Sequence, residues 1–299
     1  MTTGEAHTGG PLALGFPGQG GDWRAGIELI GRHGDAPLVR ELAERLGSDD
    51  WDSLDPLDTR NSQPVVYVAG LVAAEGVERS SVTTVIGHSL GEITGSAWAG
   101  AIDPVQGLDL VVTRAALGHA SHDRRPGAMA AFMRGTRAQV EWLRREVLAD
   151  QPGALLEIAV VNSPTQLVLS GDESAVTDAV DRTNAAGGVA RRLPIGGAFH
   201  SPLMVAESTR FRTEVAAAVT APPAVPLVSS TACRAVTEAD DLVDVLVRSL
   251  VLPVDWPATV AVAREAGAVG ALDAGPGDTL VRLARFLPGL PFTAVSEAR

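Results

Sequence analysis

The sequence predicts an α/β fold, with a large domain on a mostly parallel sheet and a smaller domain inserted into it, and three observations predict this. Short apolar runs alternate with amphipathic helical stretches along most of the 299 residues, the mark of βα units. A polar breaker, SHDRRPG at 121–127, precedes a change of rhythm in which strands outnumber helices. The composition, 45% hydrophobic and 20% charged, supplies a sizeable core without staples.

Taken in order, LALGF (12–16) reads as a first strand ending in the glycine-rich turn PGQGG. QPVVYVAGLVAAEGV (63–77) reads as a helix, and VTTVIGHS (82–89) as a buried strand running into a sharp turn. LGEITGSAWAGAI (90–102) continues as a helix, and a second helix over 103–121 has Asp103 as its cap and Pro104 in its first turn. Beyond the breaker come a strand (128–133), a helix (137–148), two strands (155–162 and 166–171), a helix (173–188) and a strand (189–195). That βαββαβ order is the ferredoxin-like motif. It reads as self-contained, so residues 127–195 are expected to form the inserted small domain, and 1–126 with 196–299 the large one. Strands near 226–230 and 270–275 complete the large sheet.

Several function classes are disfavoured at once. A single cysteine, Cys233, rules out an intrachain disulfide and argues against a cysteine-based metal site, which fits a reducing cytoplasm. The amino-terminal MTTGEAHTGGPLA lacks the basic and apolar regions of a signal peptide, and apolar runs fall short of the roughly 18 residues of a membrane span. A net charge of −12 argues against nucleic acid, which requires a basic face.

The most informative residues are Gly87, His88, Ser89, Leu90 and Gly91, a G-x-S-x-G pattern between a predicted strand and a predicted helix. A nucleophile elbow needs small residues two before and two after the serine, because the turn is strained and neighbouring backbone crowds it. An ordinary turn with Ser89 as a helix cap is the plainer alternative. A serine nucleophile also needs a base. Of six histidines, His7 falls in a tail, His33 in a polar loop, and His119 and His122 at a helix end, where a cation suits the dipole. His88 adjoins the serine but should point away from it. His200, in the turn GGAFHSPLM after the small domain, remains the candidate.

GFPGQG (15–20), GHSLGE (87–92), GAMAAF (127–132), NSPTQLVLSG (162–171), AFHSPLM (198–204) and DAGPGDTL (273–280) resemble, in order and spacing, the malonyl-CoA:acyl-carrier-protein transacylase family of fatty-acid and polyketide synthesis. The resemblance implies an α/β-hydrolase-like domain carrying a ferredoxin-like insert. It implies Ser89 as nucleophile, His200 as base in a Ser–His dyad oriented by a backbone carbonyl, and an oxyanion hole from the N–H groups of Gln19 and Leu90. Arg114, 25 residues after Ser89, would bind the free carboxylate of the acyl group, and Asn162 would lie near the site. The substrates implied are acyl-CoA and the phosphopantetheine arm of a holo carrier protein, with no bound cofactor. Because carrier proteins are usually acidic, this acidic chain would have to present a local arginine patch to its partner.

Phe199, before the histidine, and Leu90 match the family's malonyl-selective pattern, worth about 1–3 kcal/mol per methyl excluded. Two departures stand out: Gly118, where a methionine usually lines the pocket, is expected to open it, and Ser249 replaces a common glutamine. The expected activity is malonyl transfer, in a polyketide pathway. Other readings stay open: transfer of a larger acyl group between carrier proteins, motivated by Gly118; a proofreading thioesterase; and an inactive docking module.

Overall fold

In the computed structural model, which describes residues 10–297, the chain builds two sheets with helices packed against them. Residues 1–9, His7 among them and part of the stretch weighed above for targeting, lie outside the described residues. β1 (Leu12–Phe16) leads to α1 (Trp23–Arg32), α2 (Pro37–Leu46) and α3 (Thr59–Ala73); β2 (Val82–Gly87) turns into α4 (Gly91–Trp98), which is followed by α5 (Pro104–Arg124). Next come β3 (Gly127–Met133), α6 (Arg137–Asp150), β4 (Leu156–Ser163), β5 (Gln166–Asp172), α7 (Glu173–Ala185) and β6 (Val189–Arg192). The chain continues through α8 (Val205–Ala218), β7 (Leu227–Ser229), β8 (Arg234–Val236), α9 (Ala239–Arg248), β9 (Val254–Asp255) and α10 (Trp256–Glu265), then β10 (Gly270–Asp273), α11 (Thr279–Ala284) and β11 (Phe292–Ala294).

The main sheet has the order β11–β10–β1–β2–β7–β8 and is parallel except at β8. Its central strands are buried on both faces, which is why LALGF and VTTVIG read as apolar runs rather than alternating ones. Phe16 pairs with Gly87 and Gly15 with Asp273, so the carboxyl ends of β1, β2 and β10 open side by side. That is where parallel sheets place their ligands.

The second sheet has the order β6–β3–β5–β4–β9 and is antiparallel through its first four strands. On β3, Ala128, Ala130 and Phe132 pack with the residues of α6 and α7, while Met129 and Ala131 face the other way, toward the main domain. A register shift between Ile158 and Val160 on β4 keeps Val161 packed with the helices and gives Val160 and Asn162 to the opposite face. The expected self-containment fails at one edge. Val254–Asp255 of the main domain adds β9, parallel to β4. Two residues carry too little periodicity to register as a strand.

Several boundaries differ from expectation, α4 ending at Trp98 rather than at 102 among them, and three have a visible cause. Helix α3 begins at Thr59 rather than at residue 63, because Asp58 caps it through the Arg60 N–H (2.8 Å) and Pro64 sits inside it. α5 continues into the polar breaker as far as Arg124, held there by Ser121 on the Leu203 carbonyl and by the Arg124–Glu207 ion pair. β6 stops at Arg192, two residues before Pro194, which has no N–H for a ladder. No described helix is long and apolar enough to cross a membrane.

Asp103 and Pro104 start α5 as expected, with the Asp103 carboxylate accepting from the N–H groups of Val105 (2.9 Å) and Gln106 (3.2 Å). Asp103→Ala is expected to lower unfolding free energy by about 1 kcal/mol and Asp103→Asn by much less, as read from urea midpoints.

Candidate active site

The turn after β2 is set by crowding. A Cβ on Gly87 would lie 2.3 Å from the Glu92 nitrogen, and one on Gly91 would lie 2.0 Å from the Phe16 carbonyl oxygen. Both positions therefore require glycine, and between them Ser89 is forced into the left-handed region at φ 54°. The turn after β1 presses on the same elbow: a Cβ on Gly18 would lie 2.9 Å from the His88 carbonyl oxygen. Gln19 is thus brought beside Ser89 and Leu90. Among the described residues, no acceptor takes the backbone N–H of Gln19 or of Leu90.

The Ser89 hydroxyl lies 2.7 Å from His200 Nε2, and His200 Nδ1 donates to the Leu252 carbonyl oxygen at 2.9 Å. That second bond leaves Nε2 as the acceptor, the tautomer that can take a hydroxyl proton. A carbonyl, not a carboxylate, orients the ring. The carbonyl at 2.9 Å is that of Leu252; the Ser249 backbone also acts on the ring, while the Ser249 hydroxyl turns back to the Leu246 carbonyl. Burial, reinforced by the positive charge of Arg114, pushes the imidazole down to about 3, so His200 is neutral at physiological pH.

Arg114 projects from α5 to the same point, its Nη2 donating to Ser89 Oγ at 3.1 Å. It is 3% exposed, and among the described residues no carboxylate lies within ion-pair distance of it. Its guanidinium carbon sits 4.3 Å over the Phe199 ring. Burial pushes it down to about 10, with Glu92 acting at longer range in the other direction, so it remains a cation at neutral pH. A buried charge without a partner costs several kcal/mol, a cost that a negative group entering the cavity would offset.

Phe199 lines the cavity as expected, but Gly118 does not open it. A Cβ on Gly118 would lie 2.6 Å from Phe199 Cζ and 2.6 Å from the Gly196 carbonyl oxygen, so the ring of Phe199 already fills the space that a longer side chain would give up. The cavity holds about 230 Å³, smaller than pockets for drug-sized ligands, at about 300–1,000 Å³. Asn162 lies in its lining, and its Oδ1 accepts from His88 Nε2 at 2.8 Å, so the side chain ties the second sheet to the elbow. His88 thereby points away from Ser89, and it packs against Trp256. His119 is not at a helix end, because α5 runs on past it, and it faces Asp58 at 3.3 Å.

Sequence reasoning missed the residues that hold Gln19. Its side-chain amide donates to Ser62 Oγ (2.9 Å) and Thr59 Oγ1 (3.1 Å), and its carbonyl accepts from Gln63 (2.9 Å). Thr59 also receives the Gly196 N–H at 2.6 Å, linking this turn to the segment that carries His200. The signal was the polar run TRNSQ ahead of an apolar helix, which reads as a loop until Asp58 is recognised as the cap.

The depressed His200 titration fixes the sign of a pH effect. The unfolded chain takes up a proton near pH 6.5 that the folded chain refuses until about 3, so the stability contributed by neutral His200 is complete above 6.5 and falls away as the pH drops. Between pH 7 and pH 5 this amounts to about 2 kcal/mol, and His200→Gln is expected to reduce the acid destabilisation seen in denaturant titrations by that amount. An undiminished loss would place the proton uptake elsewhere.

Comparison with known proteins agrees with this geometry. The family described as acyl transferase domain matches residues 16–284. A malonyl CoA-acyl carrier protein transacylase of Mycolicibacterium smegmatis is 32% identical over 249 residues, covering 80% of this chain and 83% of that protein. The crystal structure of an acyl-carrier-protein S-malonyltransferase from Burkholderia pseudomallei superposes with a TM-score of 0.82 at 28% identity, covering 95% of this chain and 96% of that one. A malonyl-transacylase solved in complex with its type II polyketide synthase acyl-carrier protein gives 0.80 at 26% identity, covering 95% of both chains. The chain is an acyltransferase and belongs to the acyl transferase domain family, among the malonyl-CoA:acyl-carrier-protein transacylases.

Proposed function

We propose that the chain moves a malonyl-type acyl group from coenzyme A, through an ester on Ser89, to the phosphopantetheine thiol of an acyl carrier protein. The observation that carries this reading is Arg114, a buried cation with no carboxylate partner among the described residues, 3.1 Å from Ser89 Oγ. A free acyl carboxylate supplies the missing charge, and a planar guanidinium can hold it through two parallel hydrogen bonds. Acetyl and other uncharged groups leave the cation unpaired.

In the first half-reaction Ser89 Oγ attacks the thioester carbonyl carbon as its proton passes to His200 Nε2. The carbonyl oxygen becomes an oxyanion facing the backbone N–H groups of Gln19 and Leu90, each contributing about 3 kcal/mol to lowering the barrier. The carbon–sulfur bond then breaks, and the leaving thiolate takes the proton from His200. The second half-reaction runs the same steps in reverse with the carrier thiol as nucleophile. Neutral His200 is competent for the first step without any pH adjustment.

For the pathway we favour polyketide synthesis, on the ring of Phe199 and on the likeness to the transacylase solved with a polyketide carrier protein. Gly118 gives no added room for a larger acyl group, because the ring of Phe199 fills the space beside it.

Intact mass after incubation with malonyl-CoA should show an adduct that is absent in Ser89→Ala. Arg114→Ala should cut kcat/KM for malonyl transfer about 100-fold or more, equivalent to about 3 kcal/mol, while changing acetyl transfer less than about tenfold. Equal losses for both donors would remove the carboxylate from the argument, and hydrolysis outpacing transfer to holo carrier protein would favour the thioesterase.

A further inference from the structure

A second buried ionisable group lies beneath the elbow with no role in the steps above. Glu92, in the first turn of α4, is fully buried, and one carboxylate oxygen collects three donors: the Ser230 N–H, the Ser230 hydroxyl at 2.8 Å and the Ser229 hydroxyl at 3.2 Å. Its other oxygen, Oε2, is buried without a hydrogen-bond partner. A fully buried carboxyl with one oxygen left without a hydrogen bond is an expensive way to fasten a helix to a strand end, since an apolar contact would serve at lower cost.

What the carboxylate does accomplish is to orient a hydroxyl. Ser230 has one hydroxyl proton, and giving it to Glu92 leaves its lone pairs to accept. The donor they meet is the Ser89 N–H, a long contact at 3.4 Å. The Ser230 carbonyl oxygen accepts from the Asp255 N–H at 2.8 Å, where β9 joins the second sheet. Ser230 therefore stands between the elbow and the sheet that covers the cavity.

We propose that Glu92 and Ser230 are positioning residues for Ser89: the carboxyl aligns the Ser230 hydroxyl, which receives the Ser89 N–H and holds the left-handed backbone that aims the nucleophile. The elbow needs such a restraint, because a non-glycine residue at positive φ is strained and persists only where its surroundings over-determine it. The inference rests on Ser89 being the nucleophile. It requires no contact between Glu92 or Ser230 and substrate, so their effect falls on the rate of acylation rather than on donor binding.

The test is rapid-quench acylation of the full-length protein by malonyl-CoA, followed by intact mass, for wild type, Ser230→Ala, Ser230→Thr, Glu92→Gln and the double variant Glu92→Gln/Ser230→Ala. Ser230→Ala should slow saturated acylation about tenfold, the size of one hydrogen bond, with the half-saturating donor concentration changed less than about twofold. Ser230→Thr, which keeps the hydroxyl, should recover most of that rate. Glu92→Gln should slow wild type but add little to Ser230→Ala, because both act through one hydroxyl. A Ser230→Ala protein that acylates at the wild-type rate, or that is slowed through donor binding alone, overturns the proposal, as do fully additive losses in the double variant. Wild type that takes up no malonyl group at all defeats the prior reading of Ser89 instead.

Discussion

The close approach of the turn after β1 to the turn after β2 governs much of what this chain can do. Gly91 sits against the Phe16 carbonyl oxygen, Gly87 against the first turn of α4, and Gly18 against His88, with no room for a side chain at any of the three. Once the two strand ends are locked together, the positions of Gln19, Ser89 and Leu90 follow from the backbone and not from side-chain choice. The parallel register of β1 with β2 and β10 puts the contact at the carboxyl edge of the sheet. The second sheet then covers it through Met129, Ala131, Val160 and Asn162.

Electrostatics complete the site, and here desolvation decides each charge state. Burial and the neighbouring guanidinium hold His200 neutral, which suits a base that must accept a proton before it can give one back. The same burial lowers Arg114 to about 10, not far enough to discharge it, so the cavity keeps one positive charge, set against Ser89 Oγ and the face of Phe199, with no carboxylate paired to it among the described residues. Glu92 is pushed up to about 7 by burial, against the pull of its Ser229 and Ser230 donors. These groups lie on four separate segments, the β2 turn with α4, α5, the His200 turn and the end of β7, and a cavity of about 230 Å³ brings the first three to one point.

What was legible in the sequence is what side chains or glycine spacing encode. The strand–turn–helix around Ser89, the α5 cap at Asp103 and the βαββαβ order all follow from local pattern and reappear in the fold. Arg114 came from resemblance alone, and His200, which weighing the six histidines leaves only as a candidate, gained its weight from resemblance, since nothing local links either residue to Ser89. Backbone groups left no trace: the Leu252 carbonyl that orients His200 could have been supplied by any residue. Gly118 misled because its neighbour in space, Phe199, lies on another element, and a missing side chain opens a pocket only when nothing else fills the gap. The clasp on Gln19 was hidden because Thr59, Ser62 and Gln63 lie ahead of a proline that ordinarily marks a helix start.

The central claim is that Arg114 is held buried and unpaired in order to receive a carboxylate. A crystal structure of the malonyl ester on Ser89, trapped in a His200→Ala protein, tests it most directly. The account predicts the guanidinium turned from Ser89 Oγ to the malonyl carboxylate, with two nearly parallel N–H···O contacts of about 2.7–2.9 Å. A carboxylate directed to solvent, with Arg114 still against the Ser89 oxygen, would contradict it.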